Sequence, residues 1–153
     1  MWVVTTAFLL RVAQQLIHPA AGAGAGALNG VWMGLYTSPA GPITQYTTMA
    51  GIVEANYDGY SRQQVSWFPP WMSTAGPEIL TAQDLWFSPT DALVANLIAG
   101  VFLADAFYGG TLLMAAAFPA PGVILSSPAT ALKEQAQFQL PFLQIYGSPA
   151  LVS

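Results

Sequence analysis

The stretch "EANYDGYSRQQVSW", residues 54 to 67, sets Glu54, Asp58 and Arg62 among Tyr57, Tyr60 and Trp67. Two carboxylates this close could divide acid and base work on a glycosidic bond, and Asp84 with Asp91 forms a second such pair. Both pairs stand beside turn residues, where carboxylates ordinarily cap backbone amides and face water. Arg62 has a more specific use. It lies close enough in sequence to pair with Glu54 or Asp58 across a turn, where it either fixes strand register or docks a neighbour through guanidinium stacking on an aromatic ring. Either role is structural.

Other chemistry finds little material. His18 is the only histidine and precedes Pro19 at the end of a helical pattern, where it complements the helix's negative end. The "GAGAG" run has neither the G-x-G-x-x-G spacing nor a following Lys-Ser/Thr pair, so it is no phosphate loop. With no cysteine, disulfides, thiolate metal sites and cysteine nucleophiles are excluded. Arg11, Arg62 and Lys133 are the only cations in a chain of net charge -4, too few to neutralise a nucleic-acid backbone. The reading is therefore of no catalytic residues, no metal and no cofactor. Trp71 and Trp86 on one exposed face would instead suit a carbohydrate-binding module.

Charged residues make up 7% of the 153 residues and hydrophobic ones 54%, against about 25% charged in ordinary soluble domains. Such a chain hides its surface in a bilayer or against other subunits. A membrane helix needs about 18 to 20 apolar residues in a row. The best run, 92–118, is broken by Asp105 and by Gly109-Gly110. A small membrane protein using that run is the rival from another class, with Asp105 at bilayer depth demanding a partner. Arg11 follows the apolar opening instead of preceding it, so a secretory leader is a poor match.

The elements that must position these residues read mostly as strands. "TAFLLRVAQQLIHP" (6–19) predicts an amphipathic helix capped by Thr5 or Thr6 and stopped at Pro19, and "AAGAGAGALNG" (20–30) a flexible tether. Strands are expected over "VWMGLYT" (31–37), "YSRQQVSWF" (60–68), a short piece at Leu85 to Phe87, and "LKEQAQFQL" (132–140), whose apolar alternation Glu134 interrupts. "NLIAGVFLAD" and "TLLMAAAF", joined through "AFYGG", predict a hairpin whose two glycines supply the positive φ of the turn. The expected fold is mainly β: a small antiparallel β-sandwich over 31–140, with an N-terminal α-helix and tether (1–30) and a C-terminal extension (141–153). Extended termini of this kind reach neighbouring subunits.

The order of these pieces resembles a family of small tailed-bacteriophage virion structural proteins. The likeness rests on Leu35, Tyr36 and Thr37; on Gly59, Tyr60, Ser61, Arg62, Gln63 and Trp67; on Gly100, Val101, Phe102, Asp105, Gly110, Leu112, Leu113 and Phe118; and on Phe138 with Leu140. It spans most of residues 6 to 140. The alanines of "AAAF" just before Phe118 and the tail "FLQIYGSPALVS" depart from the pattern, and both make the subunit greasier. The resemblance implies a virion structural role, that of a capsid cement or decoration protein on the capsid surface. Its partners would be itself, as a homotrimer, and a major capsid protein, with a tail, neck or adaptor component as the alternative. Interface residues expected from their type and placement are Trp2, Phe8, Arg62, Trp67, Phe68, Trp71, Met72, Phe142 and Tyr146, since Trp, Tyr and Arg are favoured anchors. Trp67 and Phe102 are expected in the core even if the remaining aromatics are not.

Overall fold

A computed structural model describes residues 2–9, 30–39, 41–66, 79–90, 96–134, 137–139, 144–145 and 150–152. The protein is mainly β, with antiparallel sheets and one short helix near the N-terminus. Its centre is a six-stranded sheet. β1 (Trp2–Val4), β9 (Leu112–Ala117), β8 (Gly100–Ala104), β2 (Trp32–Pro39) and β3 (Ile52–Glu54) follow one another across it, and β4 (Gln63–Gln64) shares the β2 edge with β3. Three smaller sheets accompany it. These are β7 (Asn96–Ile98) with β10 (Val123–Leu125); β11 (Ala131–Glu134) between β6 (Leu85–Phe87) and β14 (Ala150–Val152); and β12 (Gln137–Gln139) between β5 (Ile79–Thr81) and β13 (Gln144–Ile145).

Period-two alternation separates the two faces of the central sheet. Met33 and Leu35 on β2, Val101 and Leu103 on β8, and Met114 and Ala116 on β9 share one face. They pack with Leu85, Phe87, Ile98, Leu125 and Leu132 of the smaller sheets in the main hydrophobic core. That second layer is what makes the arrangement sandwich-like. The opposite face carries Tyr36, Phe102 and Ala115, with Ile43 and Met49 from the 41–51 connection partly covering it. There, two glycines make room for rings. Gly34 stands opposite Phe102 and Gly100 opposite Tyr36 in the ladder, and a Cβ on Gly34 would lie 2.5 Å from the Phe102 ring. Each aromatic ring thus lies across the bare backbone of the neighbouring strand.

The 96–118 part of the apolar run folds as strands, and among the described residues no helix is long and apolar enough to cross a membrane. The predicted hairpin is present: β8 and β9 pair antiparallel, with Gly109 and Gly110 at φ 58° and 76°. Thr5 makes the predicted cap. Its hydroxyl accepts from Phe8 N–H (3.3 Å), and its single proton is shared between the Leu112 and Leu113 carbonyls (2.7 and 2.8 Å). One side chain therefore ends β1, starts the helical residues 6–9 and ties both to β9. The rest of the expected helix and the tether lie outside the described residues, and β1 itself was not foreseen. Two strand readings need correction. The 60–68 strand is reduced to Gln63–Gln64 within the described residues, and 132–140 is divided between two sheets.

Candidate functional site

Between β3 and β4 the chain leaves the β2 edge and returns to it, with Ala55 N–H bonding Leu35 O and Val65 N–H bonding Val31 O at its two ends. A turn from Tyr57 to Tyr60, closed by Tyr60 N–H to Tyr57 O at 2.9 Å, forms its tip. This excursion interrupts the ladder at Leu35, whose N–H would otherwise be an orphan donor. The Tyr60 hydroxyl replaces the missing strand: it accepts from Leu35 N–H (3.0 Å) and donates to Glu54 Oε1 (2.8 Å). Burial first, then the bond to Glu54, raises the Tyr60 phenol above its ordinary range.

Arg62 fastens the whole region. Its Nε and Nη2 grip the two Glu54 oxygens at 2.8 and 2.7 Å, and its Nη1 donates to the carbonyls of Ala106 (2.6 Å) and Gly109 (2.8 Å) in the β8–β9 turn. The guanidinium lies 5.0 Å from the Phe102 ring centroid, and Arg62 is only 4% exposed. The Glu54 hydrogen bond raises Arg62 further above its usual value, with burial opposing it. A planar fork with five donors suits this task, whereas an ammonium could not span a carboxylate and two carbonyls at once.

Of the two roles open to Arg62, the internal one is observed: it holds register and turn, and its burial leaves it no surface for an interface. Phe8, also expected at an interface, is 1% exposed and belongs to the main core, because the Thr5 cap turns the helix start inward. Phe102 is in the core as expected, fully buried. Trp2 lies on β1, paired with Ala116. Trp67, Phe68, Trp71, Met72, Phe142 and Tyr146 lie outside the described residues, as do His18 and Asp91.

Three of the four carboxylates weighed for acid–base work lie within the described residues. Glu54 is bound to Arg62, and exposed Asp58 receives Thr90 N–H on its backbone carbonyl. Asp84 forms a 2.7 Å salt bridge with Lys133, whose ammonium also lies 5.7 Å from the Trp86 ring centroid. Among the described residues, no group of three or more His, Cys, Asp or Glu side chains is placed to hold a metal ion.

Two features were missed by sequence reasoning. In the turn held by Arg62, Phe107 packs against Trp32 (4.9 Å between centroids) and edge-on against Tyr108 (4.3 Å), leaving Tyr108 81% exposed. The available signal was "AFYGG" itself, two aromatics at a turn tip where small polar residues are usual. On the β7–β10 ribbon, Leu97 and Ile124 stand directly opposite each other and are 46% and 58% exposed. Comparison with family models, with curated proteins and with solved structures finds no match.

Proposed function

We propose that this protein is a structural subunit of a virion, a capsid cement or decoration protein that associates with copies of itself as a trimer and bridges major capsid proteins. The observation that carries this reading is the outer face of the β7–β10 ribbon. Leu97 and Ile124 form an exposed apolar cross-strand pair, and Ala117, Pro119 and Pro121, also exposed, lie just before β10 in the chain. The outer edge of β10 has no ladder partner among the described residues. An open edge beside an apolar face is a template for another chain.

A second copy is the occupant that suits the composition. Subunit interfaces that persist bury commonly more than about 2,000 Å² and resemble a core cut in half, and a chain with 7% charged residues supplies such a surface. Closed cyclic symmetry satisfies the open edge without forming fibres, and a lattice point of three-fold symmetry selects a trimer.

Size-exclusion chromatography with light scattering, without detergent, tests the reading. A discrete species near three times 16.2 kDa is expected. The double variant Leu97→Asp with Ile124→Asp should run as a folded monomer and no longer sediment with capsids. A wild-type monomer, or recovery only in detergent, would overturn the proposal.

A further inference from the structure

We infer that the cleft between the 105–110 turn and the 55–62 excursion is a binding site for a neutral saccharide. It lies at the opposite end of the β8–β9 hairpin from the apolar ribbon, so it goes beyond the assembly role. The cleft has a volume of about 370 Å³, and Glu54, Asn56, Ser61, Arg62, Phe107 and Tyr108 line it. That size is in the range of small-ligand sites, which combine aromatic walls with a few placed polar groups.

Three observations select the ligand class. The first is the aromatic wall: Tyr108 presents an exposed ring braced by Phe107 and, behind it, Trp32. An aromatic face of this kind suits the C–H face of a pyranose ring, apolar on one side and wet at its rim. The second is preorganisation. Arg62 holds the Ala106 and Gly109 carbonyls, and Asp105 Oδ1 accepts from Thr111 N–H at 2.7 Å across the base of the turn. The ring is therefore presented without the ordering cost a loose loop incurs on binding.

The third is charge. Arg62 is neutralised by Glu54 and four of its five donors are engaged, so among the described residues the cleft has no free cation with which to select a phosphate or carboxylate. What it offers instead is neutral hydrogen bonding. Asn56 and Ser61 are exposed, an amide and a hydroxyl that both donate and accept. Glu54 Oε2 accepts only from Arg62 among the described residues and retains acceptor capacity. Adjacent sugar hydroxyls, each a donor and an acceptor, match this set. An extended peptide does not fit as well, because it needs a free backbone edge. Here Ala55 N–H is bonded to Leu35 and Tyr60 N–H to Tyr57.

The test uses the full chain and saturation-transfer NMR with a panel of methyl glycosides and short neutral oligosaccharides, with sialyllactose as the anionic control and a proline-rich peptide as the polypeptide control. A neutral saccharide is expected to bind with a dissociation constant of about 1 mM or tighter. Tyr108→Ala should weaken it by at least about tenfold while keeping the wild-type thermal midpoint. Tyr46→Ala, which removes another exposed tyrosine ring, should leave binding unchanged. Binding of none of the neutral saccharides, binding of only the anionic sugar or the peptide, or equal binding by Tyr108→Ala would each overturn the inference.

Discussion

Glu134 is a carboxylate where the fold has no use for charge. It shares the inward face of β11 with Leu132, is 2% exposed and stands opposite Leu85 in the ladder. Among the described residues its Oε1 has no hydrogen-bond partner, and neither salt bridge involves it. Desolvation without a compensating cation favours the neutral acid. Burial accordingly pushes the group up to about 7 from an ordinary 4.5.

Because the folded state holds this proton more tightly than the unfolded chain, stability is fullest below about pH 4.5, falls as pH rises, and levels off above about pH 7. At 1.36 kcal/mol per pH unit the whole difference is about 3 kcal/mol, of which about 2.5 falls between pH 5 and pH 8. The non-titrating Glu134→Gln isolates this contribution from every other group. Urea unfolding of both proteins at matched concentration and several pH values should give midpoints that diverge by about 1 to 2 M from pH 5 to pH 8, with wild type losing ground. Parallel pH profiles for the two proteins would refute the reasoning.

Arg62→Met should destabilise the protein by about 3 to 5 kcal/mol, since it strands a partly buried carboxylate and two turn carbonyls. Arg62→Lys should recover little of this, and a lysine variant unfolding at the wild-type urea midpoint would show that the fork geometry is immaterial. Gly100→Ala would place a Cβ 2.2 Å from the Ala116 carbonyl oxygen, which as backbone cannot rotate away. A loss of at least about 2 kcal/mol, or about 4 to 8 °C in thermal midpoint, is expected. An unchanged melting temperature would refute it.

The parts of the fold legible in the sequence are those in which local pattern and tertiary role agree. β2, the β8–β9 hairpin and β6 have alternating or continuous apolar residues bounded by turn signals, and they fall where expected. The readings that failed are those in which one side chain overrides the pattern. "YSRQQVSW" has strand composition, but Arg62 turns inward to reach Glu54 and the Tyr60 hydroxyl occupies a ladder position. Likewise "LKEQAQFQL" alternates as one strand, yet β11 pairs with β6 and β14 while β12 pairs with β5 and β13. Alternation specifies which side chains share a face, not which strand lies alongside. The Arg62–Glu54 pair was legible because eight residues separate the partners. The cleft was not, since Tyr108 lies 46 positions beyond Arg62 and only the hairpin brings them together.

The placement of the few charges bears on the proposed assembly role. Two of the three cations, Arg62 and Lys133, are paired within the chain to Glu54 and Asp84, and Arg11 lies outside the described residues. Asp105 hydrogen-bonds to Thr111 within its own turn, and Glu134 is buried. Most of the charge that the described residues possess is thereby directed at shaping this chain. Among the described residues, little charge remains on the ribbon to hydrate Leu97 and Ile124. Surface pairs such as Lys133–Asp84 contribute little stability on their own, about 0 to 1 kcal/mol. Their greater effect here is to leave no net cation beside Trp86. Leu97 and Ile124 at the ribbon and Tyr108 at the turn are thus the exposed anchors on which the two proposals rest, another copy of the chain for the first and a sugar ring for the second.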